Sequence, residues 1–139
     1  MRASACRPGQ NHSPALSSSK PLFSPSLSPA ALNALTTTMV EALDAAYRSW
    51  DADPGIHAIV LTGSGGGRAL CAGGDVKAAV AAVRSGDPGA AVRFFRSEYR
   101  LDYLIATLTT PHIALMDGIV MGGGAGLCVH GRFRVATER

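Results

Sequence analysis

Ala69-Leu70-Cys71-Ala72-Gly73-Gly74-Asp75 and Asp117-Gly118-Ile119-Val120-Met121-Gly122-Gly123-Gly124-Ala125-Gly126 are the two stretches on which the reading of this chain turns. Each follows a predicted strand and opens a predicted helix. A helix start carries unpaired backbone N–H groups at the positive end of its dipole, and glycine lets an anion come close to them. Two such starts converging could hold one developing negative oxygen, an oxyanion hole. The plainer reading of the same glycines is tight turns and close packing. Phosphate-binding loops do not fit. A P-loop needs Gly-Lys-Ser/Thr, and the lysines, Lys20 and Lys77, do not follow a glycine. The dinucleotide pattern also fails, because its last glycine falls on Arg68, Leu127 or Val129.

Outward from the glycines, the elements follow from local pattern. Thr36, Thr37 and Thr38 offer N-cap hydroxyls to a helix whose apolar residues, Met39, Val40, Leu43, Tyr47 and Trp50, recur at helical spacing. Asp53-Pro54-Gly55 ends it. Ala58-Ile59-Val60-Leu61-Thr62 reads as a buried strand. Asp75 to Ser85 reads as a helix stopped by Gly86. Asp87-Pro88 caps and opens another, continuous or broken once, which carries Phe94, Phe95, Tyr99, Tyr103 and Leu104 as far as Thr109-Thr110-Pro111. Ile113–Met116 is a second strand running into Asp117-Gly118. A short helix to His130, ended by Gly131, and a strand at Phe133–Ala136 complete the series. Strands alternating with helices define an α/β fold.

Hydrophobic residues make up 47% of the 139 and charged residues 17%, which fits a globular chain. No apolar run approaches the roughly 18–20 residues that span a bilayer, so no membrane helix is expected. The net charge of +3 is not a nucleic-acid signal. Residues 1–40 hold three bases (Arg2, Arg7, Lys20) and no acid, whereas 41–139 hold ten of each. Cys6, Cys71 and Cys128 are odd in number and widely spaced, so free thiols are expected rather than disulfides or zinc. The histidines form no metal-binding pair. Residues 1–29 hold eight serines and five prolines and are expected to be a disordered leader. Arg and Ser without acids also suit an organelle transit peptide; an ordinary tail or a misread gene start are the alternatives.

Ala30-Ala31-Leu32-Asn33-Ala34-Leu35, Ile59-Val60-Leu61-Thr62-Gly63 and the first glycine stretch together resemble the front half of the crotonase (enoyl-CoA hydratase/isomerase) superfamily. Phe94–Leu101 and Ile113–Glu138 are most similar to its 3-hydroxyisobutyryl-CoA hydrolase branch. The resemblance covers about residues 30–139 and implies a partial ββα spiral core. It implies that Gly74 and Gly123 donate the oxyanion-binding N–H groups. It places the backbone of Ala31, Leu32, Asn33 and Ala72 beside the CoA moiety and lines the acyl pocket with Glu98. The alternative for Glu98 is a solvated helix carboxylate. Asp75 is read as a helix cap first and a CoA contact second. The resemblance further implies an acyl-CoA substrate in valine breakdown and no metal or organic cofactor beyond the CoA of the substrate. A mitochondrial location follows from it, with peroxisome, plastid or cytoplasm as alternatives. Self-association is a further expectation, as in many family enzymes.

Within the family, hydratases place a catalytic glutamate where this chain has Gly126, and glycine does no acid–base chemistry. Thioester hydrolysis is therefore favoured over hydration or isomerisation. The hydrolases' own acid–base carboxylates, a Glu and then an Asp, fall beyond Arg139 in the resemblance, and Glu138 is too early to serve. The expectation is thus a truncated product, inactive or limited to binding CoA esters. Ahead of the match, the family's two strands ending in Leu-Asn-Arg-Pro are replaced by a leader ending Ser26-Leu27-Ser28-Pro29, so those strands are expected to be missing. Strand faces without neighbours should then leave apolar surface exposed.

Overall fold

Thr36 begins the first helix by accepting a hydrogen bond from the Met39 N–H at 3.2 Å. This helix, α1 (Thr37–Asp51), buries the five residues that its periodicity marks: Met39, Val40, Leu43, Tyr47 and Trp50. The computed structural model describes residues 1–6, 29–64 and 68–139. Beyond α1 lie β2 (Ala58–Thr62), β3 (Ala69–Cys71), α2 (Val76–Arg84), α3 (Pro88–Thr107), β4 (His112–Met116), β5 (Ile119–Val120), α4 (Gly123–Val129) and β6 (Phe133–Ala136). A short 3-10 turn, Pro29–Ala31, precedes α1. Pro88 sits in the first turn of α3, where its missing N–H costs nothing. The helix then runs 20 residues unbroken, the continuous one of the two alternatives.

One expectation about the leader is corrected. Arg2–Cys6 forms a strand, β1, antiparallel to β2, with Ala3 opposite Leu61 and Ala5 opposite Ile59. The alternation in Arg2-Ala3-Ser4-Ala5 turns Ala3 and Ala5 to the core, where both are buried. Composition averaged over 29 residues hides a five-residue alternation of this kind. The pairing also covers an edge of β2 that would otherwise be open. The remainder of the Ser/Pro-rich leader, residues 7–28, lies outside the described residues.

The main sheet has the order β1-β2-β4-β6, with β2, β4 and β6 parallel. A second, two-stranded sheet pairs β3 with β5, also in parallel. The chain therefore repeats a unit: a strand in the large sheet, a strand in the small sheet, then a helix. β2-β3-α2 is one turn of this ββα spiral, β4-β5-α4 is the next, and β6 starts a third. Parallel pairing demands such crossovers. The core joins Leu43, Tyr47, Ile59, Leu61, Leu101, Ala114 and Leu127, all essentially inaccessible to solvent. Around β5 and β6, Ile119, Met121, Phe133 and Val135 are 46–63% exposed.

Buried polar groups tie these layers together. Tyr47 Oη and His112 Nε2 lie 3.2 Å apart in the core. Burial pushes the His112 ring down to about 4 and the Tyr47 hydroxyl well above its ordinary value. Asp51 Oδ1 accepts from the Thr110 N–H at 2.7 Å and from the Thr109 hydroxyl at 2.9 Å, fixing the end of α1 to the entry of β4.

Candidate functional site

The two glycine stretches form loops at the same end of the small sheet, after β3 and after β5. Leu35 bridges to Gly74: its N–H donates to Gly73 O at 2.8 Å, and the Asp75 N–H donates to Leu35 O at 2.8 Å. In a parallel bridge of this pattern the Gly74 N–H points away from Leu35. The second loop is held by the Met121 N–H donating to Cys71 O at 3.1 Å. In the first turn of α4 the Gly124 N–H donates to Met121 O and the Gly126 N–H to Gly122 O, whereas the Gly123 N–H takes part in neither bond. The loops touch through bare backbone. A Cβ at Gly73 would lie 3.3 Å from Met121 O and 3.8 Å from Gly123 N. Gly73 adopts φ +113°, which favours glycine for a second reason.

One stripe of α3 closes over these loops. Phe94, Glu98 and Asp102 follow at intervals of four and meet three glycines in turn. A Cβ at Gly74 would fall 2.8 Å from the Phe94 ring. At Gly123 it would fall on Glu98 Oε1, and at Gly126 it would be 2.6 Å from both carboxylate oxygens of Asp102. Glu98 is only 3% exposed, so it is no solvated helix carboxylate. Burial, then the neighbouring Asp102, holds its carboxyl above the ordinary range. Burial raises Asp102 as well, against the nearby His130, and its Oδ1 is buried without a hydrogen-bond partner. Sequence reasoning missed Asp102. Its signal was there in the spacing: four residues after Glu98 on one helix face.

The residues expected beside CoA gather on the outer side of the first loop. Leu32 and Asn33 both take left-handed conformations, φ 51° and 56°. Asn tolerates this region, whereas Leu32 is strained there. The turn is held by the buried Asn33 amide, which donates to Ser64 O at 3.0 Å and Ala69 O at 2.9 Å. Leu32 O in turn accepts from the Ala72 N–H at 3.1 Å, so Leu32 and Ala72 are neighbours. Ala31 beside them is exposed. Asp75 is the N-cap of α2 and accepts from the Ala78 N–H at 3.0 Å, the role ranked first for it. Cys71 packs beneath the loop with its sulfur 3.5 Å from Gly73 N, and burial pushes its thiol up.

Among the described residues, no three His, Cys, Asp or Glu side chains are grouped to hold a metal ion. No described helix is long and apolar enough to cross a membrane. A groove of about 800 Å³ bordered by Phe95, Tyr99, Arg100 and Tyr103 runs along another face of α3, and no glycine-loop residue lines it.

A ββα spiral whose two glycine loops abut beneath a buried glutamate is the front of a crotonase fold. The chain belongs to the enoyl-CoA hydratase/isomerase family, which it matches over residues 27–139. It is 48% identical over 111 residues to the mitochondrial 3-hydroxyisobutyryl-CoA hydrolase of Gallus gallus, a match covering 80% of this chain and 28% of that protein. It is 46% identical to the mitochondrial 3-hydroxyisobutyryl-CoA hydrolase-like protein 1 of Arabidopsis thaliana, covering 80% and 27%. The crystal structure of an enoyl-CoA hydratase from Rhodobacter sphaeroides superposes with a TM-score of 0.75 at 44% identity, covering 79% of this chain and 32% of that one. The chain thus spans less than a third of the length of each.

Proposed function

We propose that this chain binds a short-chain acyl-CoA thioester, with 3-hydroxyisobutyryl-CoA as the leading candidate, and serves its hydrolysis. The observation that supports the reading is the contact between the two glycine loops, in which Gly73, next to Gly74, abuts Met121 O and Gly123 N, while neither the Gly74 nor the Gly123 N–H is spent on the bonds that shape the loops. In the proposed reaction the thioester oxygen accepts from both N–H groups. Water adds to the carbonyl carbon, and the oxygen becomes an anion held by the two donors. The C–S bond then breaks, giving the carboxylic acid and the CoA thiol. Donors fixed before charge develops need no reorganisation, and one such donor is typically worth about 10²–10³ in rate. Glu98 lines the acyl side in this reading, and Ala31, Leu32 and Ala72 border the CoA arm.

Hydration is the weaker reading. It needs an acid–base side chain at position 126, where the structure has Asp102 packed on a glycine. A specific observation favours a second reading, binding without turnover: Glu98 is 3% exposed and Asp102 is packed on Gly126, which leaves little room for an attacking water beside either carboxyl. Titrating the full chain with 3-hydroxyisobutyryl-CoA in a calorimeter, with free thiol release followed in parallel, separates the cases. Binding with thiol release supports hydrolysis, and binding alone supports the second reading. No heat at millimolar ligand refutes both. The relatives' mitochondrial names make that compartment the proposed location. Self-association remains part of the proposal and is read by sedimentation.

A further inference from the structure

Asp102 is the carboxyl that neither the resemblance nor the proposed chemistry uses. It sits one helical turn beyond Glu98 on the face of α3 that meets α4, where residues four apart are neighbours. Its two oxygens fill the space that a side chain at position 126 would occupy, 2.6 Å from the Cβ that Gly126 lacks. Oδ1 is buried and accepts no hydrogen bond from the described residues. An acceptor buried without a donor is costly unless a proton can reach it. No hydrogen bond joins this oxygen to Glu98, one turn back, so the two carboxyls act on each other through charge.

We propose that Asp102 is a positioning residue for this site: from the place of a side chain at 126 it makes Glu98 keep its proton beside Gly123. The inference rests on the oxyanion reading given above for Gly74 and Gly123. A charged Glu98 against Gly123 would repel an oxyanion forming at the Gly123 N–H. A neutral Glu98 would not, and could donate a hydrogen bond. Two carboxyls this close hold one negative charge between them more readily than two. Burial raises Asp102 and His130, at the C-terminal end of α4, offsets part of that rise, so in this proposal Asp102 is the one of the pair to carry the charge and Glu98 the one to keep the proton. Among the described residues, the N-terminal ammonium lies near Cys71 and donates to Ser64 Oγ, and the remaining charged groups packed around α3 lie on its other flanks. Glu41 and Asp44 of α1 line its flank at Ser97 and Arg100, Arg48 of α1 borders the groove at Phe95 and Tyr99, and Lys77 and Arg84 of α2 are exposed. Cys71 of β3 faces Glu98 as a neutral thiol.

The test is a carboxyl ¹³C NMR titration of the full chain labelled in glutamate. Only Glu41, Glu98 and Glu138 report, and Glu98→Gln assigns the site signal. Glu98 should titrate above the other two. In Asp102→Asn it should move down by about half a pH unit or more, a ~3-fold or greater loss of proton affinity, while Glu41 and Glu138 stay put. Acyl-CoA affinity, measured across the same pH range with acetyl-CoA, should begin to fall at correspondingly lower pH in Asp102→Asn. A Glu98 signal that does not move in Asp102→Asn overturns the proposal. So does a wild-type Glu98 that titrates with Glu41 and Glu138, a result that needs no folded variant. If Glu98 moves as stated but acetyl-CoA binds wild type at no pH, the oxyanion reading falls and the coupling of the two carboxyls stands.

Discussion

Replacing Gly123 with alanine tests whether α3 is seated on the second glycine loop as described. The new Cβ would land on Glu98 Oε1, 2.9 Å from Glu98 Cδ and 3.1 Å from Leu35 Cδ1. Two effects oppose each other. Alanine gains at most about 1 kcal/mol over glycine in a helix, and less at its first position. Overpacking a filled site costs about 1–3 kcal/mol. Glu98 could swing away if it had room, but at 3% exposure it has little. The net is a loss of about 1–2 kcal/mol, or a Tm lower by roughly 3–8 °C for a chain of this size. In a Glu98→Ala background the carboxyl is gone and only the 3.1 Å approach to Leu35 remains. There the same substitution should be close to neutral. Urea unfolding of the four proteins, followed by circular dichroism, should therefore give a coupling of about 1–2 kcal/mol between positions 98 and 123. Additive effects, within about 0.3–0.5 kcal/mol, would mean that Glu98 does not rest on Gly123. The seating of α3 over the loops would then be wrong.

Other substitutions give sharp outcomes. Asp75→Ala should lower stability by about 0.5–2 kcal/mol through loss of the α2 cap, while Asp75→Asn keeps it. Unchanged acyl-CoA affinity in Asp75→Asn would confine Asp75 to the cap, and a clear loss would restore its CoA role. His112, ordinarily near 6.5 and here down at about 4, binds its proton more weakly folded than unfolded. Its contribution to stability is therefore complete above about pH 6.5 and is lost as pH falls towards about 4, by up to about 3 kcal/mol. Glu98 and Asp102 are raised and act in the opposite sense, favouring the folded state at low pH. The measurement is accordingly the difference between wild type and His112→Gln across that window, which should shrink with falling pH; a constant difference refutes it. Burial pushes the Cys128 thiol to about 12 and raises Cys71 too. In a Cys6→Ser background both should react with a thiol reagent at pH 8 only as fast as the protein opens, and at once in urea.

What the sequence disclosed and what it hid divide by range. The five buried residues of α1 share one helical stripe, so local periodicity names them all. The strands β3 and β5 have three residues and two, flanked by glycine, and exist only because they pair with each other across almost fifty positions. No local pattern marks them. β1 escaped for the same reason: its partner β2 lies more than fifty residues on, inside a different composition. At the site, the glycines were visible as a pattern and Glu98 through resemblance. Asp102 is marked only by its spacing of four from Glu98, and its role depends on Gly126, which approaches it from another helix.

The glycines now separate by what each one faces, and this bears on the choice between plain packing and oxyanion binding. Gly63 and Gly124 abut backbone: added Cβ atoms would meet Ala69 O at 2.7 Å and Cys71 O respectively. Packing alone accounts for them. Gly74, Gly123 and Gly126 instead face the tips of Phe94, Glu98 and Asp102, side chains that could have been smaller had the loops carried Cβ atoms. A fold needing only close packing at these points could place alanine opposite alanine. Here large or acidic side chains stand over glycines, at an interval of four along α3. That arrangement brings a ring and two carboxyls onto bare backbone, where they bound the space into which the Gly74 and Gly123 N–H groups would have to point for the proposed chemistry. Under the proposed function, close packing and N–H presentation would be one design at Gly74 and Gly123. A variant that restores volume at 123 while shortening Glu98 should keep the fold and lose acyl-CoA binding. Retention of both would leave these glycines with packing alone.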